Sequence, residues 1–375
     1  MYLHRSGTCT VYMTEGANRL PVILPAARHT STTQFVELHA RSAFSFLEGS
    51  SLPEELAVRC AELGITAMAL SDAHGVYGAP RFHMAARKLG VRALLGAEAA
   101  TTDGSRYTLL AKNRQGYHNL CRLITRTKLR DRHRGKPENP VATQNDFAEF
   151  AKGLICLTGG TEGPLARVFS EHRGSAARQG VQKQVELLIR IFGKENVFVE
   201  LQRHHRRKQE VRNQALVELA RSMRLPLLAT NGVTHAIAAK RKLQDVLTCV
   251  KYKTTISEAG RLLSYNAECH LKSSAEMNRL FADLPEAIAH TGELASRLSF
   301  TLEDLGYEFP HYPVPAGETE ISFLRKRTDE GARRRYQPYS DKARRQIERE
   351  LALIGKLKLA GLFPNRLGHC RILQA

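Results

Sequence analysis

The sequence predicts an α/β fold in which short apolar strands alternate with helices. Three strand-like apolar runs, residues 35–39, 69–72 and 95–98, each end in a histidine or a carboxylate. The segments between them carry apolar residues at helical spacing, as expected where parallel strands are joined by helical crossovers. A chain of 375 residues with 42% hydrophobic content is long enough for two or three domains with sizeable cores. This layout is typical of a barrel or a doubly wound sheet.

The first predicted helix covers residues 53–64. It opens with Pro53 and closes with Gly64, residue types that favour the start and the end of a helix. The alternation then continues along the chain. Strands are predicted at 65–70, 91–95, 154–158, 197–201 and 225–230, and helices at 77–89, 119–130, 180–192 and 213–223.

Polar residues stand at the ends of several predicted strands. Glu98, Glu200 and Asn231 each follow a different apolar run, and His39 ends the first one. Because parallel strands present their carboxyl ends at the same rim, we expect these side chains to lie around one site.

These residues resemble, in order and spacing, the PHP (polymerase and histidinol phosphatase) domain of bacterial DNA polymerase III alpha subunits, with the error-prone type as the nearest branch. The resemblance covers residues 35–361. It implies a distorted (β/α)7 barrel at 35–290, followed by the first helices of a polymerase palm at 291–361, with helices at 321–336 and 341–360. It is carried by the runs 35–49, 69–78, 95–98, 112–124, 200–204, 229–235, 243–250 and 309–319.

The family's metal ligands are matched only in part. The resemblance implies His-x-His after the first strand, Asp-His after the second, Glu after the third and two later pieces, together holding up to three metal ions. His39, Asp72, Glu98 and His204 match, whereas Arg41 replaces the second His. Further departures are Ala73, with His74 one place late, and Gly232 and Thr234 after the last strand. The predicted degenerate site comprises His39, Arg41, Glu48, Asp72, His74, Glu98, His204 and Asn231.

Arg41 argues against a working hydrolase. A multinuclear hydrolase needs enough His and carboxylate ligands to fix its ions, and a guanidinium is permanently charged and has no lone pair to donate. We interpret Arg41 as pairing with Glu98 or Asp72 in place of a metal, with Glu48 a peripheral carboxylate. The alternative is a residual zinc or manganese site built from His39, Asp72, His74, Glu98 and His204.

The polymerase function implied by the resemblance needs parts outside this chain. The resemblance implies magnesium, nucleotides and primer-template DNA for the full-length enzyme, whose palm carboxylates clamp two metal ions. Nothing in residues 303–375 resembles their Asp-x-Asp setting. We therefore expect the chain alone to be inactive in primer extension and to need no cofactor. Residues 362–375 are atypical, which suggests a truncation or frameshift, and residues 1–34 are predicted to be a disordered extension.

Composition favours a polyanionic partner in a reducing compartment. Lys and Arg outnumber Asp and Glu by 56 to 37, a formal charge of +19. Seven scattered cysteines form no Cys-x-x-Cys pair, which fits the cytoplasm. No apolar run approaches the ~20 residues that span a bilayer, so no membrane partner is expected. Candidates for phosphate contacts are Arg126, Lys128, Arg130, Arg206 and Arg207.

The resemblance thus implies the N-terminal part of an error-prone DNA polymerase that serves damage-tolerant synthesis and repair. Its barrel would act as a scaffold, and other polymerase proteins are possible partners. Two alternatives stay open. One is a free-standing PHP phosphoesterase or exonuclease, and the other is a non-enzymatic DNA-binding module, which metal-independent and salt-sensitive DNA binding would favour.

Overall fold

The computed structural model of the chain describes residues 9–10, 23–24, 33–130, 141–305 and 311–363. It divides into two compact units, one ending at residue 304 and the other beginning at residue 305. The predicted disorder of residues 1–34 and the atypical end after residue 363 fall almost wholly outside the described residues.

A mixed eight-stranded sheet forms the centre of the first unit, which confirms the predicted α/β fold. Seven strands follow the order β10-β9-β8-β6-β5-β4-β3, and β7 pairs with β5. A separate antiparallel pair precedes them. The strands are β1 (Cys9–Thr10), β2 (Ile23–Leu24), β3 (Glu37–Ala40), β4 (Ala67–Ala73), β5 (Arg92–Thr101), β6 (Arg106–Ala111), β7 (Val141–Ala142), β8 (Leu154–Leu157), β9 (Val197–Leu201) and β10 (Leu227–Ala229).

One strand runs against the parallel direction that the alternating pattern predicts. Strand β6 is antiparallel to both β5 and β8. A tight turn joins β5 to β6, in which the Thr101 amide donates to the Ser105 carbonyl (2.9 Å) and Gly104 has a φ of +81°. A connection this short allows only antiparallel pairing, so β6 departs from the parallel arrangement that was predicted for strands joined by helical crossovers.

The two ends of the sheet meet at the rim. Ala40, at the end of β3, pairs in parallel with Val233, which follows β10. The Arg41 amide donates to the Val233 carbonyl at 2.8 Å, and the Val233 amide donates to the His39 carbonyl at 2.9 Å. The buried Glu37 carboxylate adds a second link, since it accepts from the backbone amides of His39 and Asn231 (2.9 Å each). The sheet therefore curls until its first and last strands are joined.

The helices surround this sheet, and one apolar cluster links the strands to the last of them. The cluster includes Leu38 of β3, Leu94 of β5 and Phe198 of β9, and it extends to Leu294. The unit therefore runs past the predicted boundary at 290. The helices are α1 (Pro53–Glu62), α2 (Ala79–Lys88), α3 (Arg114–Leu129), α4 (Gln144–Phe150), α5 (Pro164–Glu171), α6 (Gly174–Phe192), α7 (Arg207–Met223), α8 (Arg241–Tyr252), α9 (Ile256–Ala259), α10 (Ser274–Leu280) and α11 (Pro285–Arg297).

Three of these helices begin earlier than the apolar spacing predicts. Helices α3, α6 and α7 start five or six residues before the predicted positions 119, 180 and 213. Their first turns are polar or exposed, so a pattern based on buried residues cannot detect them. For α3 the start is fixed instead by Asn113, whose side chain accepts from the Gly116 amide (2.9 Å).

The described residues of the second unit include two helices, α12 (Glu320–Arg335) and α13 (Asp341–Lys356), close to the predicted ranges. Leu324 and Leu351 are buried between them, together with the half-buried Ile347. The side chains of Thr319 and Ser340 cap the two helix starts. Within the described parts of both units, no helix is long and apolar enough to cross a membrane.

Candidate functional site

His39 lies between two buried carboxylates at the rim of the sheet. Its Nε2 is 2.7 Å from Glu98 Oε1 and its Nδ1 is 2.6 Å from Glu200 Oε1. Burial disfavours a charge on the ring, but Glu200 and Glu98 together raise the pKa of His39 to about 10. The ring is therefore an imidazolium that donates to a carboxylate from each nitrogen.

Arg41 binds the same Glu98 oxygen as His39. Its Nε donates to Glu98 Oε1 at 2.6 Å, a second guanidinium nitrogen pairs with Glu162, and Nη1 lies 3.6 Å from Glu48 Oε2. Burial alone would raise the pKa of Glu98, but Arg41 and His39 hold it well below its usual range. The predicted pairing of Arg41 with Glu98 is thus present in the structure, and pairing with Asp72 is not.

Glu48 belongs to the same network and is not peripheral. The Arg106 guanidinium pairs with both Glu48 oxygens, and its Nη2 is 2.8 Å from Oε1. Lys251 Nζ is 2.7 Å from the same Oε1. Burial opposes ionisation, but Arg106 and Arg41 lower the pKa of Glu48 to about 2. Arg106 Nη1 also lies 3.4 Å from Glu98 Oε2, so Glu48 and Glu98 are bridged.

The charges of this cluster balance. We call the cluster the rim network. Four groups are cationic and four are carboxylates, so the network needs no further ion for neutrality. Its members are His39, Arg41, Arg106 and Lys251, with Glu48, Glu98, Glu162 and Glu200.

Asp72 is buried near this network but is held by other partners. It accepts from the Ser42 amide (2.7 Å), the Ser42 hydroxyl (2.9 Å) and the Ser45 hydroxyl (2.8 Å). Burial raises the pKa of this carboxyl. Close packing by Gly78 fixes it further, because a Cβ at Gly78 would lie 2.5 Å from Asp72 Oδ2.

His74 adopts a left-handed backbone conformation with a φ of +57°. The His74 backbone amide donates to the Glu98 backbone carbonyl at 2.8 Å, so His74 contacts Glu98 through the main chain. Burial lowers the pKa of the ring, which is consistent with a neutral imidazole. Among the described residues its side chain has no hydrogen bond to Glu98 or Asp72.

His204 and Asn231 form part of the scaffold of the rim. Nε2 of His204 donates to the Asn231 carbonyl (2.9 Å), and Gln209 Nε2 donates to Nδ1 (3.2 Å). Burial lowers the pKa of His204, so the ring is neutral. The Asn231 amide group donates to the Glu268 and His270 carbonyls at 2.6 Å each. Both ring nitrogens of His204 are thus engaged by protein groups.

Comparison with known proteins identifies this arrangement. Residues 37–204 match the PHP domain family. The chain is 37% identical over 337 residues to an error-prone DNA polymerase of Dechloromonas aromatica, covering 89% of this chain and 31% of that protein. The error-prone DNA polymerase of Mycolicibacterium paratuberculosis is 35% identical over 346 residues, with the same coverage. The chain is a PHP-domain relative of the error-prone DNA polymerases. It spans about a third of the length of these relatives.

Solved structures align over about half of the chain. A metal-dependent phosphoesterase from Bifidobacterium adolescentis has a TM-score of 0.39 and 14% identity, and covers 53% of this chain and 87% of its own. An amidohydrolase from Chromobacterium violaceum has a TM-score of 0.38 with the same identity and coverage.

The residues of this PHP domain do not fit a metal ion. Within the described part of the chain, no three His, Cys, Asp or Glu side chains are grouped so that they could hold one. Of the five candidates for a residual site, Asp72 and His204 are bonded elsewhere and His74 does not join them. Only His39 and Glu98 are in contact. Arg41 Nε occupies the same Glu98 oxygen that contacts His39, so this oxygen is not open to a metal ion.

Five residues of the site were not predicted from the sequence, among them Lys251 of α8, whose approach to Glu48 depends on the tertiary fold. Glu200 was recognised as a strand end but not as a partner of His39, and Glu37 had a signal in its position two residues before His39 on the same face of the strand. Arg106 and Glu162 had none, because their contact with Arg41 and Glu98 depends on how the sheet curls.

The predicted phosphate-binding residues differ in whether an acidic side chain already pairs with them. Arg126 pairs with Glu149, and Arg130 Nη2 is 2.6 Å from both Asp146 oxygens. The other three have no ion-pair partner among the described residues. Lys128 lies over the Tyr77 ring and Arg206 over the Tyr265 ring, and Arg207 opens α7.

Proposed function

We propose that this chain is the N-terminal part of an error-prone DNA polymerase of the alpha-subunit type, and that its PHP barrel is a scaffold and not a hydrolase. The match to error-prone polymerases over 89% of the chain supports the first part. Damage-tolerant DNA synthesis, primer-template DNA, magnesium, a cytoplasmic location and partner polymerase proteins belong to this proposal for the intact protein.

The observation that carries the scaffold role is the position of Arg41. Its Nε lies 2.6 Å from the Glu98 oxygen that also receives His39 Nε2. A hydrolytic metal ion would need the lone pairs of this Glu98 oxygen and of His39 Nε2 as ligands, and it would lie beside the fixed positive charge of Arg41. Because the guanidinium cannot lose its proton, the repulsion persists at every accessible pH.

The rim network gives this charge a structural role. Arg41 joins residues from β5, the loop after β3 and the loop after β8 through Glu98, Glu48 and Glu162. Lys251 of α8 joins the same network through its ion pair with Glu48. An ion-pair cluster of this kind holds strand ends in register without metal, which is what a scaffold requires.

A phosphoesterase assay on the purified chain tests the scaffold role. We expect hydrolysis of p-nitrophenyl phosphate and of a single-stranded oligonucleotide to stay at background with added manganese, zinc or magnesium. The His39→Gln variant is the matched control, because it removes the best-placed metal ligand. Turnover by the original chain that exceeds the turnover of His39→Gln would contradict the proposal and favour a free-standing phosphoesterase.

Primer extension tests the second part of the proposal. Glu303, of the acidic pair Glu303-Asp304 that precedes the palm helices, is engaged, since its carboxylate lies 3.0 Å from Arg87 Nη1. We expect no nucleotide incorporation by the chain alone, because two-metal phosphoryl transfer needs carboxylates that clamp both ions. Magnesium-dependent extension by the pure chain would show that the catalytic carboxylates lie within it.

A further inference from the structure

Helix α8 leaves several of its apolar residues exposed. The residues of α8 that are buried in the first unit include Gln244 and Cys249, each 6% exposed. Its apolar residues Leu243, Val246 and Val250 are 46%, 44% and 57% exposed. A surface helix normally buries its apolar side chains and exposes its polar ones. This helix therefore leaves an apolar stripe facing outward.

The three exposed residues, which we call the outer stripe, share one face of the helix. Leu243, Val246 and Val250 are spaced by three and four residues, the spacing at which side chains line up along a helix. The next short helix, α9, packs beside α8 and adds Ile256, which is 58% exposed. Exposed apolar side chains that line up along one face of a helix are typical of a protein-binding site.

The barrel holds this helix firmly from the other side. Lys251 pairs with Glu48 of the rim network, and the Arg241 guanidinium donates to the Ser264 carbonyl (2.7 Å). Lys240, directly before the helix, pairs with Glu55. The outer stripe is thus presented on a fixed helix, and binding to it costs little ordering of the helix itself.

The charges beside the outer stripe are positive. Lys242 lies one turn before Val246 on the helix, and Lys253 is the residue that follows the last residue of α8. Neither lysine has an ion-pair partner among the described residues, whereas Asp245 is paired with Arg241 (3.3 Å). A partner with acidic side chains around apolar anchors would complement this surface.

We propose that the outer stripe is a docking site for a protein segment, an amphipathic helix with apolar anchors flanked by Asp or Glu. A second copy of the chain fits less well, because a two-fold contact would bring Lys242 and Lys253 against the same residues of the other copy. A lipid surface also fits less well. The stripe residues are only about half exposed, whereas membrane binding needs side chains that reach several ångströms into the lipid.

Selection from a displayed random-peptide library, with the purified whole chain as target, tests this inference. We expect the selected peptides to carry apolar residues at helical spacing with acidic residues between them. Fluorescence anisotropy on the synthesised peptides should show affinity falling about tenfold or more for Val250→Glu. Val211→Glu is the matched control, because Val211 is an equally exposed valine of α7 (62%), and its affinity should not change.

Two further variants guard against a folding artefact. Val250→Thr keeps the side-chain shape and should lower the affinity for the peptides less than Val250→Glu does. Lys253→Glu should lower the affinity for acidic peptides in particular. Circular dichroism melting should be alike for all variants. Selected peptides that are basic, or whose binding ignores Val250, would overturn the inference. So would Val250-dependent self-association in sedimentation velocity, or Val250-dependent binding to phosphatidylserine vesicles without peptide binding.

Discussion

Replacing Arg41 by Met should destabilise the first unit by about 3 kcal/mol, the cost typical of breaking a buried ion pair by removing one partner. Arg41 is 12% exposed and its main partner Glu98 is 1% exposed, so solvent screens the pair little. The loss stays near the lower end of the usual range because Glu98 keeps His39 at 2.7 Å and Arg106 at 3.4 Å.

A double-mutant cycle separates the ion pair from other effects of the substitution. In Arg41→Met/Glu98→Gln the uncompensated carboxylate is gone, so we expect the double variant to be more stable than the two single losses would predict, with a coupling of about 1 to 3 kcal/mol. The assay is urea unfolding followed by circular dichroism, since the chain has no tryptophan. A loss below about 0.5 kcal/mol for Arg41→Met, typical of a plain surface substitution, would refute the reasoning.

Three further predictions concern the same rim. First, the pKa of His39 is raised to about 10 in the fold, so its stabilisation is complete below pH 6.5 and is lost as the pH rises towards 10; thermal melts should show this decline, and His39→Gln should flatten it. Second, Gly78→Ala should cost about 1 to 3 kcal/mol in urea unfolding, because its Cβ would strike Asp72 Oδ2, whereas Gly331→Ala, which meets open space, should not destabilise. Third, dialysis against EDTA should leave the melting temperature unchanged, since removal of a bound ion would lower it.

Much of the fold could be predicted from the sequence because strands and helices leave local patterns. The apolar runs before His39, Asp72 and Glu98 predicted strands that are present, with ends at one rim. The direction of β6 could not be predicted this way, because it depends on a short turn that the apolar pattern does not mark. Helix starts were also missed where the first turn is exposed.

The site could be predicted only in part. The pairing of Arg41 with Glu98 followed from charge and from their places at two strand ends. That Asp72 is held apart from Arg41 and Glu98 could not be predicted. Ser42 and Ser45 donate to its carboxylate only in the folded loop, and nothing in their sequence positions marks this contact. Side-chain partners of this kind are set by tertiary packing, and motif spacing does not encode them.

The most direct test of the scaffold role is the metal content of the purified chain, measured by mass spectrometry after preparation without chelators. Since the rim network is neutral and Arg41 binds the shared Glu98 oxygen, we predict no stoichiometric zinc, manganese or magnesium. A stoichiometric metal that is lost in the His39→Gln variant would contradict this account. It would mean that Arg41 moves away and that the rim holds an ion.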